Sequence, residues 1–322
     1  MISINFVDNG SSNSVTSSFM MDMFGQYVES TNLLISESVD DFCQYNTNYV
    51  TEAVATGNTD DVKKKEIASK QTNVFAKIGD AVISLFEKIG KIISKAIELI
   101  KDISFKFKSN EKKLDVIKKR YPLYADKIIA RLKEKEIDIN DAVILKSLSD
   151  IDKLYKEVLS EASKPSTVDK VKTKADEFLN KLRTIGTEDK SEGGKETIIT
   201  VGNGPLLFKK INNAANATMA KLDAKRKENY NEFLKAFEQL KKLGEKSGNS
   251  SEFTDPTALR KSQIISNIHN AYQGKISNLV SASSRKVTGL QGKINSFLMK
   301  FDDGGKLVSS LDKDLKDSKK KG

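Results

Sequence analysis

The sequence has no tryptophan, one cysteine, one histidine and only four prolines in 322 residues. Each shortage removes a class of answer. A lone cysteine, Cys43, allows no disulfide within the chain and no multi-cysteine metal site, which fits synthesis in a reducing compartment. A lone histidine, His269, means that any histidine-assisted nucleophile must use it and that a zinc site would need other ligands. Set among Ser and Asn without organised partners, it reads as a surface or seam-edge residue. Few prolines beside many Lys, Glu, Leu, Ile and Ser favour long helices over sheet. In the most apolar stretch the longest uncharged run is Ala81 to Phe86, far short of the roughly eighteen residues of a membrane span. The opening residues MISINFVDNGSS lack the basic and apolar regions of a secretory signal, so export by that route is not expected.

One absence is local. The first 62 residues contain no Lys or Arg but nine acids, giving −9, so the remainder must carry +19 to reach the overall +10. An acidic arm is joined to a basic body.

What is present is helical periodicity. Between Val74 and Phe107, the residues Phe75, Ile78, Val82, Leu85, Ile89, Ile92, Ala96, Leu99 and Ile103 fill the a and d positions of a heptad, and Phe86, Ile93 and Ile100 widen the face. This predicts a long central amphipathic helix in an elongated all-α assembly. The arm, 1–62, holds one or two amphipathic helices from Ser17 toward Tyr49, with a hinge at 55–61, and is a candidate removable propeptide. A helical domain at 63–186 follows, with a break at Ser109-Asn110, helices at 122–136 and 138–162, and another after Pro165, where Ser166 with Asp169 resembles a capping box. A polar linker at 187–204 contains Thr197 to Val201, a β-like run whose partner would have to be distant. Residues 205–302 read as a long antiparallel helical hairpin, its first helix ending at Gly244, and 303–322 as a basic disordered tail.

No motif carries catalytic chemistry. Gly202-Asn203-Gly204 precedes a helix, but Leu207 stands where a dinucleotide turn has its third glycine, and neither Gly193-Gly194-Lys195 nor Gly304-Gly305-Lys306 has P-loop spacing. The carboxylates are scattered over helix faces. The expectation is therefore no enzyme and no cofactor. The feature least like background is the stretch 256–301, which has seven basic residues, Arg260, Lys261, Lys275, Arg285, Lys286, Lys293 and Lys300, and no acid. Lys286, Lys293 and Lys300 share one heptad position, making a positive stripe. It either pairs with acids of the preceding helix, such as Asp223, Glu228, Glu232 and Glu238, or contacts a polyanion without reading bases.

The order of an acidic, Met- and aromatic-containing arm, the segment VFAKIGDAVISLFEKIGKIISKAIELIKDISFKF and Lys-rich helices resembles virion structural proteins of large tailed bacteriophages over about the first third of the chain. The resemblance implies a helical internal head protein, made in the host cytoplasm, packed into the virion and trimmed by a prohead protease. Ile35-Ser36-Glu37 is similar to such processing sites, as are Leu85-Phe86-Glu87 and Leu159-Ser160-Glu161. The expected function is a non-enzymatic structural component inside or lining the head, contacting DNA without sequence specificity or other virion proteins, with self-association compatible with the seam. The alternatives are a membrane-active protein that lays the face of 74–107 on a bilayer and another kind of helical interaction protein.

Overall fold

The computed structural model describes residues 13–57, 60–137, 141–185, 196–250, 255–302 and 304–308. The apolar stripe of the sequence lies on helix α2 (Asp61–Arg120), whose 60 residues make about 90 Å of helix at 1.5 Å per residue. Asp60 caps it, its carboxylate accepting from the Val62 N–H at 2.8 Å, and Lys118, Lys119 and Arg120 suit its C-terminal dipole. The helix does not break at Ser109-Asn110 as expected. Leu114 and Ile117 continue the buried stripe, and the Asn110 amide donates to Asn295 Oδ1 at 2.6 Å. The stripe also departs from a strict heptad. After Ile89 the core positions become Ile93, Ala96 and Ile100, leaving Ile92 and Leu99 half-buried. A straight helix turns once per 3.6 residues, so a repeat of 3.5 drifts off its face within a few turns and one place must be skipped.

The arm is helix α1 (Asn13–Thr56), and the expected hinge falls where Gly57 adopts a left-handed φ of 64°. Ile35, Val39, Phe42, Cys43, Tyr49 and Ala53 of α1 are buried against α2 and a later helix, so the described part of the arm belongs to the core. After α2 come a 3-10 turn at Pro122–Asp126, strand β1 (Ile128–Lys133) and the single helical turn α3 (Glu134–Ile137). Helix α4 (Asp141–Ala162) and helix α5 (Val168–Thr184) match two expected helices, though Thr167, not Ser166, caps α5. The expected helix at 122–136 is thus a 3-10 turn, a strand and the start of a single helical turn. The partner of β1 is the β-like run, strand β2 (Glu196–Thr200), which pairs with it antiparallel from Ile128↔Thr200 to Lys133↔Glu196 with an irregularity between Ile128 and Ala130.

Helix α6 (Gly204–Ser250) and helix α7 (Thr257–Leu298) form the expected antiparallel hairpin: Phe233 stacks on His269 with centroids 4.6 Å apart, and Gln273 donates to the Arg226 carbonyl at 3.3 Å. Gly244 does not end α6. A Cβ there would stand 2.7 Å from the Phe75 ring, so the glycine lets α6 approach α2 closely.

The all-α class holds, but the element at the centre is α7 rather than α2. Helix α7 packs on α1, α2, α4, α5 and α6 and on β1, and 25 of its 42 residues are buried. The units expected at 63–186 and 205–302 share one continuous core. The wide face of α2 is covered by α1, α6 and α7, and no helix among the described residues is long and apolar enough to cross a membrane. The expected tail lies mostly outside the described residues. Its first part turns back instead, with Leu307 bridged to Phe301 and the Lys306 N–H donating to Asp302 Oδ1 at 2.6 Å.

Candidate polyanion-binding groove

The positive stripe of α7 is divided by the fold. Lys261 is buried, its ammonium donating to the Lys164 carbonyl at 2.7 Å, and burial holds its pKa below the usual lysine value. Lys275 is half-buried and lowered for the same reason. Arg260 is exposed beside α1, bonded to Cys43, while Arg285 is exposed and Lys286 half-buried further along. Three of the four acids expected to neutralise the stripe are engaged elsewhere. Asp223 holds Arg226 at 3.0 Å and Lys227 at 2.7 Å, Glu228 holds Lys156 and Lys225 at 3.1 Å each, and Glu232 holds Lys235 at 3.0 Å.

Lys293 and Lys300 are the two stripe residues that the fold brings to a concave site. They line a groove of about 770 Å³ between the C-terminal third of α7 and β1, together with Lys127 and Arg131. Tyr124, Phe297, Phe301 and Leu307 supply its apolar part, and no carboxylate lines it among the described residues. The hold of the protein on these cations is weak. Arg131 meets Glu196 at 3.4 Å and Lys293 meets Glu136 at 3.7 Å, both pairs solvent-exposed, while the Lys127 ammonium stands 5.8 Å over the Tyr124 ring. Exposed pairs of this kind contribute at most about 1 kcal/mol, so an incoming anion displaces little. Lys127 and Arg131 are absent from the sequence-derived set because they sit in the stretch read as a helix. Their clustering with Lys293 and Lys300 depends on the strand turning back onto α7.

Glu37, the expected processing site, is exposed in the middle of α1 between buried Ile35 and Val39, and the neighbouring Ser36 hydroxyl is bonded to Asp40 and Gln263. Cleavage there would require local opening of α1.

A second group of polar residues is enclosed where α4, α6 and α7 meet. His269 is fully buried, contrary to the surface or seam-edge position expected for it, because Phe233 stacks on its ring and the Tyr155 hydroxyl shares a 2.7 Å hydrogen bond with its Nδ1. Nearby, Asp152 accepts from Tyr272 at 2.5 Å and from Asn229 at 3.2 Å and is paired with Lys225 at 2.6 Å. These contacts tie three helices together, although His269 Nε2 and Asn229 Oδ1 have no hydrogen-bond partner among the described residues. Among the described residues no group of three or more His, Cys, Asp or Glu is placed to hold a metal ion.

Burial, with a smaller contribution from Arg226, pushes the His269 imidazole down to about 3. An unfolded chain titrates near 6.5, so between pH 6.5 and 3 the unfolded state takes up a proton that the folded state refuses. Stability from this group is complete above pH 6.5 and falls by about 1.4 kcal/mol per unit below it. Between pH 6.5 and 4.5 the protein should lose about 2–3 kcal/mol through His269. Denaturant unfolding of His269→Gln should give a flatter pH profile over that window, and parallel profiles would exclude the imidazole as the cause.

Comparisons with protein-family models, curated proteins and solved structures found no match to this chain.

Proposed function

We propose that the chain is a non-enzymatic, helical structural protein of a bacteriophage particle that contacts an anionic partner through the groove formed by Lys127, Arg131, Lys293 and Lys300. The phage setting, inside or lining the head, rests on the resemblance of the first third of the chain. The anion-binding role rests on one observation. Two pairs of cations face each other across an open groove whose described lining holds no carboxylate, and the two of them that meet acids do so only in exposed pairs.

The partner class is a polyanion recognised by charge, either the phosphates of DNA or an acidic surface of another virion protein. No recognised base-reading element enters the groove, so binding to DNA would be independent of sequence. Fluorescence anisotropy with two duplexes of unrelated sequence and with polyglutamate tests the reading. Affinity should fall steeply between low and physiological salt, with a logarithmic slope for duplex of about −3 to −4 if all four cations neutralise phosphates. Lys293→Gln with Lys300→Gln should reduce that slope by about 2. No binding at low salt, or binding unchanged by these substitutions, would refute the groove as the contact. Mass spectrometry of purified phage particles that encode the chain tests the setting, and finding it absent from them would refute a virion role.

A further inference from the structure

We infer that the anionic partner is an extended acidic polypeptide segment of another protein, laid along the open edge of β1 as a third strand. This rests on the anion-binding reading of the same groove. Four consecutive residues of β1, Ile128, Ile129, Ala130 and Arg131, line the groove. Side chains alternate between the two faces of a strand, so a run of four consecutive residues borders one space when the edge is turned toward it, with the irregularity between Ile128 and Ala130 shifting the alternation locally. The sheet has two strands, β2 occupying one edge of β1, and no third strand pairs with it among the described residues. An unpaired edge offers backbone donors and acceptors to an incoming chain.

The opposite wall leaves room for such a chain. It is built from Gly289, Gly292 and Ser296 of α7, and a Cβ added at either glycine would meet nothing within 4 Å. Charge selects the occupant. Lys127 and Arg131 stand on the strand side and Lys293 and Lys300 on the helix side, so acidic side chains would meet a cation on either wall. A strand that alternates acidic with apolar residues would turn the latter toward Phe297 and Leu307.

The same end of the molecule has more apolar surface than its charge alone would call for. Leu123 is 95% exposed, Met299 79% and Leu206 75%. All three belong to the elements gathered there, since the Gly202 N–H donates to the Ala125 carbonyl, Tyr124 packs on Phe301 and Phe107 stacks on Phe208. None of the three lines the groove itself, but exposed apolar side chains on the elements that frame it suit a protein partner more than a nucleic-acid one. A DNA duplex would engage the rim cations and leave the strand edge and aromatic residues unused.

The test uses the full chain and a labelled octapeptide of alternating Glu and Val, compared with two N-methylated versions and a 12-nucleotide single strand. The two versions have identical charge and carry methyl groups on opposite alternating sets of amides. Along a paired edge only one set donates to β1, so the two should differ in affinity by at least tenfold. Lys293→Glu with Lys300→Glu, at exposed positions, should weaken the unmodified peptide at least tenfold, and its binding should slow amide exchange at 128–131. Equal affinity of the two methylated peptides, or tighter binding of the oligonucleotide, overturns strand addition while leaving an anion-binding groove in place. Failure of peptide and oligonucleotide alike to bind at low salt overturns both readings.

Discussion

Leu85→Asp should lower the melting temperature by about 10 °C or more, and a less stable background would not fold at all. Leu85 is 1% exposed in the middle of α2, on the face packed against α6 and α7. An aspartate there loses the apolar contacts and either buries a charge without a partner or is forced neutral. Both outcomes cost several kcal/mol, against a usual domain stability of about 5–15 kcal/mol. A control on the same helix separates packing from helix propensity. Phe105 is 71% exposed, so Phe105→Asp should leave the melt nearly unchanged. Ile92→Asp, at a position only half-buried after the stripe skips a place, should fall between the two. Thermal melts followed by circular dichroism decide the matter, and a Leu85→Asp protein that melts with the parent would mean that the face is not packed.

The contrast between α2 and α7 explains what was legible in the sequence. Helix α2 announces itself because its buried face is made mostly of Ile, Leu, Val and Phe, and the hydrophobic pattern therefore locates its middle, although the helix runs thirteen residues beyond Val74 and thirteen beyond Phe107. Helix α7 is more enclosed, yet its buried face includes Ser262, Ser266, Asn270, Ser277, Ser281 and Ser284. Small polar residues let neighbouring helices come close, and several satisfy their hydroxyls within α7: Ser262 donates to the Leu259 carbonyl at 2.7 Å and Ser266 to that of Ser262 at 2.7 Å. A hydropathy pattern counts such positions as surface, so it points to α2 and not to α7 as the centre of the bundle.

The groove was half legible for a related reason. Lys293 and Lys300 follow from heptad arithmetic on one helix, whereas Lys127 and Arg131 lie in Lys-Ile-Ile-Ala-Arg-Leu-Lys, a run compatible with either a strand or a helix. What makes it a strand is β2, more than sixty residues later, and no local pattern reports that pairing. His269 was misplaced in the same way. Its neighbours in sequence are polar, while the rings that bury it, Phe233 and Tyr155, come from α6 and α4.

Removing residues 1–62 should destabilise the protein severely, because the arm behaves as core and not as a detachable shield. Six apolar side chains of α1, from Ile35 to Ala53, are buried, and at about 1–3 kcal/mol each their loss is on the order of 10 kcal/mol, comparable with the whole stability of a domain. Polar contacts add register, with Asn270 donating to Asn32 at 2.7 Å and Gln263 to Ser36 at 3.0 Å. A chain beginning at Lys63 should therefore melt far below the parent or aggregate. The competing idea, drawn from the −9 against +19 charge partition, is that the arm masks the basic surface. The contacts place Glu29, Glu37, Asp40 and Asp41 of α1 on the exposed side of a helix that runs beside the 260–274 part of α7, short of Lys293 and Lys300. Attraction between exposed charges decays over about 8 Å at physiological salt, so these acids are poorly placed to screen the groove. Neutralising them separates the accounts without disturbing the core. With Glu29→Gln, Glu37→Gln, Asp40→Asn and Asp41→Asn combined, affinity for polyglutamate should stay within about twofold of the parent and the melting temperature should hardly move. A several-fold gain in affinity that fades as salt is raised would restore the masking account.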